Sequence, residues 1–487
     1  MAIKKIVIAG GGTAGWMAAS LLHHRWASKG IQIVLVESPN IGIIGVGEGS
    51  TPSLRHFFAE LGISDEAWMP ECNATYKVNI EFEGWSPQSG IPKYSHPFIS
   101  QVDVFSEKHF HINCLTRRLG LDVETQPEKF LLNGWLAAQN KQPHTPANFP
   151  FVVEYGYHFD SALLGQFLAK RAVACGVQHI QDNIEQVKLD AQGDIQALDL
   201  GKNGQLEADF FIDCTGFDSL LLQSALGVEF IPFSDNLFAN AAIAMPSPAL
   251  DLVPVQTKAT ALSHGWAWQI PLTHRTGNGY VFSTKYYSHE QAEHELREHL
   301  GLQDPDIPVK YLNMKVGRVA KHWHRNCLAI GLSQGFIEPL EATALHLTQT
   351  SINTFMQEYE AGEFSAKFEA RCNQQISDSY ERVRDYIVAH YKLNTRDDSQ
   401  YWRDNRNNTH LSDALWEVLK VWYQRGDLSA EIKKQKLDEH FNITSWHCLL
   451  AGYGAFPTLG ANQPGTGDHY IEAKLEQFFK GCMLNFN

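Results

Sequence analysis

The composition is that of a globular protein with an acidic balance. The chain has 487 residues, of which 44% are hydrophobic and 19% are charged, and its formal net charge is −14. Such a chain is not intrinsically disordered, and the acidic balance speaks against an extended nucleic-acid surface, since phosphate binding needs a basic footprint. No apolar stretch is long enough to cross a bilayer. The eight cysteines lack metal-ligand spacing, so we expect reduced thiols, no metal and a cytoplasmic location.

The first forty residues predict a dinucleotide-binding βαβ unit. Residues 4–9 and 31–36 are apolar strands, and a glycine turn leads from the first strand into a helix over 14–29. In the G-x-G-x-x-G pattern the first glycine makes the turn, the second leaves room for a pyrophosphate, and the third lets helix and strand pack closely. An acidic residue about 20 positions further on suits a ribose hydroxyl. The predicted cofactor-binding residues here are Gly10, Gly12, Thr13, Ala14, Gly15 and Glu37.

Later segments alternate between strand and helix patterns. Residues 159–175 are predicted to be helical, 178–213 to form several short strands, and 228–320 to be rich in strands. After Pro339, apolar residues at helical spacing predict helices over 340–360, 364–392 and 409–437.

The glycine motif alone leaves FAD and NAD open. An apolar strand that delivers Asp213 in an Asp-x-x-Gly arrangement favours FAD, because two-domain flavoproteins return to the dinucleotide in this way. Gly331, which follows another apolar strand, is a third candidate contact. The alternative for each is a buried strand that ends in a turn.

Four segments resemble the flavin-dependent tryptophan halogenases and their indole-halogenating relatives. They are GGGTAGWMAA from Gly10, GVGEGSTP over 45–52, GWAWQIP from Gly265, and GFIEPLEAT from Gly335. The resemblance implies an α/β fold of the FAD-binding, Rossmann-like, flavoprotein monooxygenase type, with mixed sheets and a mainly helical C-terminal subdomain. It predicts an FAD-binding module over 1–350, with an inserted strand-rich substrate and halide region, and a helical subdomain over 351–487. It also implies cofactor contacts at Gly47, Val187 and Leu345.

Lys77 has two interpretations. By itself the alternation over 75–83 predicts a half-buried strand with Lys77 on its solvated face. The resemblance instead implies that Lys77 is the catalytic lysine, either hydrogen-bonding hypohalous acid or forming a haloamine. Glu341 is the matching carboxylate, which would assist Lys77 or accept the ring proton. Its alternative role is to complement a helix dipole together with Glu338.

The same helix start is a candidate halide site, because exposed amides bind anions there. The resemblance assigns the halide, bromide or chloride, to the amides of Thr343 and Ala344. The tryptophan-specific members commonly have Glu-Ser-Thr-Gly at this turn, whereas this chain has Glu-Ala-Thr-Ala from Glu341.

For the substrate, the resemblance implies that His96 and Phe98 sandwich an indole ring. Trp266 and Trp268 share one face of a strand and would wall the flavin off from that substrate, although a strand with an aromatic core face would have the same pattern. The segment from Leu450 does not match the C-terminal segment with which the tryptophan-specific members bind free tryptophan. Indole or an indole-containing compound is therefore the predicted substrate.

The predicted enzyme is a two-component flavin-dependent halogenase, monomeric or homodimeric. No second nucleotide fingerprint is present, so a separate NAD(P)H-dependent flavin reductase would supply the reduced FAD. The alternatives are an FAD-dependent aromatic monooxygenase of the same fold and a flavin-binding protein without catalysis.

Overall fold

Three separate stretches of the chain build the first of two units, which contains the glycine turn. The computed structural model describes residues 3–42, 47–459 and 467–486. The described residues of Met1–Ala74, Phe159–Ser234 and Met314–Glu381 form the first unit, and those of Thr75–His158, Asp235–Asn313 and Arg382–Asn487 form the second. The predicted boundary at residue 350 falls within the helix Ala344–Ala361 and stays a prediction.

The main sheet of the first unit has the Rossmann strand order. Its strands lie, from edge to edge, in the order Trp323–His324, Cys327–Ala329, Phe210–Asp213, Lys5–Ala9, Gln32–Glu37 and Gln178–Gln181. All neighbours are parallel except the first pair. Numbered along the chain, the five parallel strands follow the 3-2-1-4-5 pattern of dinucleotide-binding folds, which confirms the predicted fold class. Their β-branched and aromatic side chains form a buried core.

Two small antiparallel sheets and several helices complete this unit. The sheets comprise Ile184–Leu189, Ile195–Leu200 and Gly204–Glu207, and Phe230–Pro232, Gly317–Val319 and Gly335–Phe336. A short strand covers Glu48–Gly49. The helices are Thr13–Trp26, Ser53–Glu60, Asp65–Trp68, Ser161–Cys175 and Ala344–Ala361, with a π-helix at Leu220–Ala225. The helix Glu369–Leu393 crosses the boundary between the units.

The second unit is built on a seven-stranded mixed sheet. Its order is Lys310–Asn313, Ala241–Pro248, Arg275–Phe282, Gly265–Pro271, Gln256–Leu262, Asn79–Glu83 and Lys93–Pro97. Only the Gln256–Leu262 and Asn79–Glu83 strands pair in parallel. The strand Thr75–Lys77 pairs separately with Gly156–Phe159. The helices are Glu107–Arg118, Pro127–Phe130, Leu132–Ala138, His289–Leu300, Gln400–Asn407, Asp413–Tyr423, Leu428–Lys434, Ile443–Gly452, His469–Glu472 and Leu475–Met483.

The structure refines one strand-rich segment and corrects one predicted helix. The strand-rich middle also contains the helix His289–Leu300, whose start is fixed by a capping box between Ser288 and Gln291. The helix predicted over 409–437 is two helices, because the chain turns at Arg425, which has a φ of 63°, and Asp427 then caps a new helix.

The part of the chain that the structure describes has neither a membrane-crossing helix nor a metal-binding cluster. No helix there combines the length and apolar character needed to cross a membrane. No group of three His, Cys, Asp or Glu side chains in the described ranges could hold a metal ion.

Candidate functional site

The glycine turn after the first strand is shaped by close backbone contacts and one open space. Gly10 has a φ of 108°, and a Cβ there would lie 2.1 Å from the carbonyl oxygen of Cys214. A Cβ on Gly15 would lie 2.0 Å from the carbonyl oxygen of Gly10. At Gly12, in contrast, a Cβ would meet nothing within 4 Å. Gly10 and Gly15 therefore close the turn, and Gly12 borders free space at the helix N-terminus.

Glu37 lies beside this turn, at the end of the second strand. A Cβ on Gly11 would come within 1.6 Å of Oε2 of Glu37, so the carboxylate occupies the place of a missing side chain. Its other oxygen, Oε1, lies 2.7 Å from Nε2 of His179. Neither Gly11 nor His179 is among the residues predicted for this site. Gly11 could have been noticed as an unassigned glycine within the motif, whereas His179 has no sequence signal.

The strand ends carrying Asp213 and Gly331 meet the same turn. A Cβ on Gly331, which has a φ of 66°, would lie 2.7 Å from Cβ of Ala14. The Asp213 carboxylate is buried, and its oxygens accept hydrogen bonds from its own loop: Thr215 N and Oγ1, Ser219 Oγ, Leu221 N and Leu222 N. Asp213 therefore organises the following loop, and its predicted contact with the cofactor stays a prediction.

The segment after residue 46 adds a half-buried glutamate to this unit. Gly47 is buried with a φ of 94°, and Glu48 follows it. Desolvation raises the pKa of the Glu48 carboxyl to about 7. The hydroxyl of Thr13 donates to the carbonyl oxygen of Ser161 at 3.3 Å. Gly45 and Val46, also part of the predicted flavin-contacting motif, lie outside the described residues.

A pyrophosphate-bearing cofactor fits this arrangement. The open space at Gly12 faces amides at a helix N-terminus, which favour anions. Glu37 offers the carboxylate that a ribose requires. Val187 lies in a small antiparallel sheet and packs against the core of the unit.

The turn with the predicted halide residues also belongs to the first unit. A short 3₁₀ turn, Pro339–Glu341, ends at Ala342, which has a φ of 55°. Thr343 is the N-cap of the helix Ala344–Ala361, so the amides that begin this helix have no intrahelical acceptors. Ala344 is exposed, while Glu341, Thr343 and Leu345 are buried. The left-handed residue is Ala342, two positions before the alanine that replaces the family glycine.

Lys77 lies in the second unit and is fully buried, with 0% exposure. The expectation of a solvated face, taken from alternation alone, is therefore wrong. Its Nζ lies 5.5 Å from the ring centroid of Phe98, in a cation–π arrangement. The backbone amide of Phe98 donates to the carbonyl oxygen of Val78 at 3.0 Å, which fixes the two segments together. The predicted catalytic lysine and one predicted substrate residue are thus neighbours.

The other predicted substrate residues are buried in the same unit. Trp266 and Trp268 lie on one strand with ring centroids 6.2 Å apart. Trp268 packs over Gly279 on the next strand, where a Cβ would lie 2.0 Å from the indole ring. His96 lies 6.0 Å from Tyr386 between ring centroids. Their roles stay predictions.

The comparisons with known proteins agree with one another. A family model described as tryptophan halogenase matches residues 5–464. The tryptophan 6-halogenase SttH of Streptomyces toxytricini is 37% identical over 443 residues, covering 86% of this chain and 83% of that protein. The 7-chloro-L-tryptophan 6-halogenase KtzR of a Kutzneria species is 37% identical over 478 residues, covering 93% of this chain and 91% of that protein.

Solved structures show the same relationship in three dimensions. BrvH, a flavin-dependent halogenase from a Brevundimonas species, matches with a TM-score of 0.84 and 32% identity, covering 100% of this chain and 97% of that structure. The crystal structure of SttH matches with a TM-score of 0.85, covering 99% of this chain and 98% of that one. The chain therefore belongs to the tryptophan halogenase family, and it is a flavin-dependent halogenase.

Proposed function

We propose that this protein is a two-component halogenase that halogenates indole or an indole-containing compound with bromide or chloride. The observation that carries the proposal is the buried ammonium of Lys77 over the face of Phe98. A cationic donor beside a flat aromatic surface suits delivery of an electrophilic halogen to an electron-rich ring.

FAD, when bound in reduced form, supplies the chemistry that oxidises the halide to hypohalous acid with dioxygen. Gly10, Gly12, Thr13, Ala14 and Gly15 would hold its pyrophosphate, and Glu37 its ribose. Gly47, Val187, Asp213, Gly331 and Leu345 complete the proposed cofactor contacts. A separate NAD(P)H-dependent flavin reductase would provide the reduced cofactor.

The halide is proposed to bind the amides of Thr343 and Ala344 at the start of their helix. Backbone amides at a helix N-terminus attract an anion through the helix dipole, and no particular side chain is needed. Glu341, buried two residues earlier, is proposed to accept the proton that the halogenated ring releases.

In the proposed reaction Lys77 donates a hydrogen bond to hypohalous acid and so makes the halogen more electrophilic. His96 and Phe98 would hold the indole ring between their flat faces. Trp266 and Trp268 would keep that ring away from the flavin, so that only the small oxidant reaches Lys77. Free tryptophan is less favoured as substrate because the segment from Leu450 does not match the segment that binds the amino acid in tryptophan-specific members of the family.

The test is a halogenation assay with purified protein, FAD, a generic flavin reductase, NADH, dioxygen and indole, with either bromide or chloride. We expect a product with the isotope pattern of bromine or chlorine in mass spectrometry, and no such product from Lys77→Ala with FAD still bound. Lys93→Ala is the matched control, because Lys93 is exposed at the start of the strand Lys93–Pro97 and pairs with Glu81. Full activity of Lys77→Ala, or a hydroxylated product without halide, would refute the proposal.

A further inference from the structure

The strand that carries Lys77 is held by a buried histidine on the partner strand. In the antiparallel pair, Thr75 lies opposite His158 and Lys77 lies opposite Gly156. Residues two apart on a strand share a face, so the side chains of Thr75, His158 and Lys77 are on one side of the pair. Gly156, opposite Lys77, has no side chain.

His158 is fully buried and both of its ring nitrogens have partners. Its Nδ1 lies 3.0 Å from Oγ1 of Thr75, and its Nε2 lies 2.9 Å from Oγ1 of Thr257. The hydroxyl of Thr75 donates to the carbonyl oxygen of Pro271 at 2.7 Å. A hydroxyl has one proton to donate. Thr75 must therefore accept from His158, and the proton of the imidazole is on Nδ1.

The other nitrogen of His158 is then an acceptor. Burial lowers the pKa of His158 well below its ordinary value, and the positive charge of Lys77 lowers it further. The ring is therefore neutral, and Nε2 accepts the hydroxyl proton of Thr257. One continuous chain of hydrogen bonds follows, from Thr257 through His158 and Thr75 to Pro271.

We propose that His158 is a positioning residue for Lys77, which it serves as a neutral, Nδ1-protonated imidazole. The hydrogen-bond chain joins the Lys77 strand to Pro271, the last residue of the strand that carries the two tryptophans. A neutral ring fixes Thr75 without placing a second positive charge beside the ammonium. This inference rests on the proposed catalytic role of Lys77, but the state of His158 can be measured separately.

The first test is nuclear magnetic resonance of protein labelled with ¹⁵N-histidine, with the His158 signals assigned from their loss in His158→Asn. We expect a protonated Nδ1 and a bare Nε2, unchanged between pH 6 and 9. The opposite tautomer, or a titration within this range, would overturn the assignment. This readout does not depend on halogenation.

The second test separates positioning from folding and from the role of Lys77. We expect His158→Leu to lower kcat for indole about 10- to 100-fold, since small misplacements of reacting groups cost this much, while KM and FAD affinity stay within about twofold. His158→Asn, whose amide can still donate to Thr75, should recover most of kcat. Unchanged kcat in His158→Leu would refute the proposal.

Two further variants keep the outcomes distinct. If His158→Leu does not fold, Thr257→Val removes only the donor to Nε2 and should lower kcat in the same direction. If Thr257→Val leaves kcat unchanged, the hydrogen-bond chain through His158 does not position Lys77. Full activity in Lys77→Met would overturn the proposed function, and with it the positioning role, whereas the tautomer of His158 would remain as measured.

Discussion

Gly12 and Gly15 belong to the same motif but should respond to alanine in opposite ways. Gly12 has a φ of −70° and a ψ of 177°, a conformation that alanine adopts readily, and its Cβ would enter open space. Gly15 has no such space, because its Cβ would lie 2.0 Å from the carbonyl oxygen of Gly10. The first substitution should therefore affect the cofactor and the second the fold.

The two magnitudes follow from these contacts. Gly12→Ala should leave the apoprotein as stable as wild type or more stable by about 0.4–1 kcal/mol, because alanine restricts the unfolded chain. Its methyl group would occupy the space a pyrophosphate needs, so FAD affinity should fall at least about tenfold, or ~1.4 kcal/mol. Gly15→Ala should cost about 3 kcal/mol, at the upper end of overpacking, since backbone atoms must move.

The assays are urea unfolding of the apoprotein and titration of FAD fluorescence. Each variant acts as the control for the other, since both add the same methyl group to the same turn. Wild-type FAD affinity in Gly12→Ala would refute the argument that this space receives the pyrophosphate. A loss of stability in Gly12→Ala as large as that in Gly15→Ala would refute the conclusion that Gly12 borders open space.

Three further substitutions probe stability. The ion pair with Arg25 and the neighbouring contacts lower the pKa of the Glu360 carboxyl to about 2, so the stability that they supply is present above pH 4.5 and lost as the pH falls towards 2. Glu360→Gln should therefore lower the free energy of unfolding in urea by about 1–2 kcal/mol at pH 7 and by much less at pH 3. Equal losses at the two pH values would contradict this role of the ionised carboxylate. Glu48 should affect the pH dependence of stability in the opposite direction, because its pKa is raised to about 7 and the free energy of unfolding therefore falls from pH 4.5 through pH 7. Glu48→Gln should flatten this part of the plot of stability against pH. A plot parallel to that of wild type would refute the desolvation of the Glu48 carboxyl. Gly279→Ala should displace the Trp268 ring, lower stability by about 1–3 kcal/mol and change tryptophan fluorescence; an unchanged spectrum would show that the ring is not held there.

The dinucleotide-binding unit could be predicted from the sequence because its determinants are local. Strand, turn and helix follow one another, and the glycine spacing encodes contacts between near neighbours such as Gly10 and Gly15. Contacts between this turn and residues far away in the sequence are harder to predict. The close approach of Gly331 to Ala14 joins residues more than 300 positions apart, and only the resemblance and an apolar strand pointed to it.

The error at Lys77 has a specific cause. The alternation over residues 75–83 predicts one strand, whereas the structure has two, Thr75–Lys77 and Asn79–Glu83, with different partners. Val78 separates them and donates its backbone amide to the carbonyl oxygen of Val255 at 2.8 Å. A period-2 pattern gives the face of a side chain only within one strand. It cannot show that the strand changes sheets, or which face is then covered.

The hydrogen-bonded groups that hold the Lys77 strand could not be found from the sequence at all. Thr75, His158, Thr257 and Pro271 are scattered over almost 200 residues, and none stands in a motif-like spacing with another. A buried ammonium is costly to desolvate, and the cation–π contact with Phe98 offsets part of that cost. Buried ionisable groups with a specific partner are candidates for functional sites. The burial of Lys77 beside a fully satisfied neutral histidine therefore supports a catalytic role more strongly than its place in any sequence pattern.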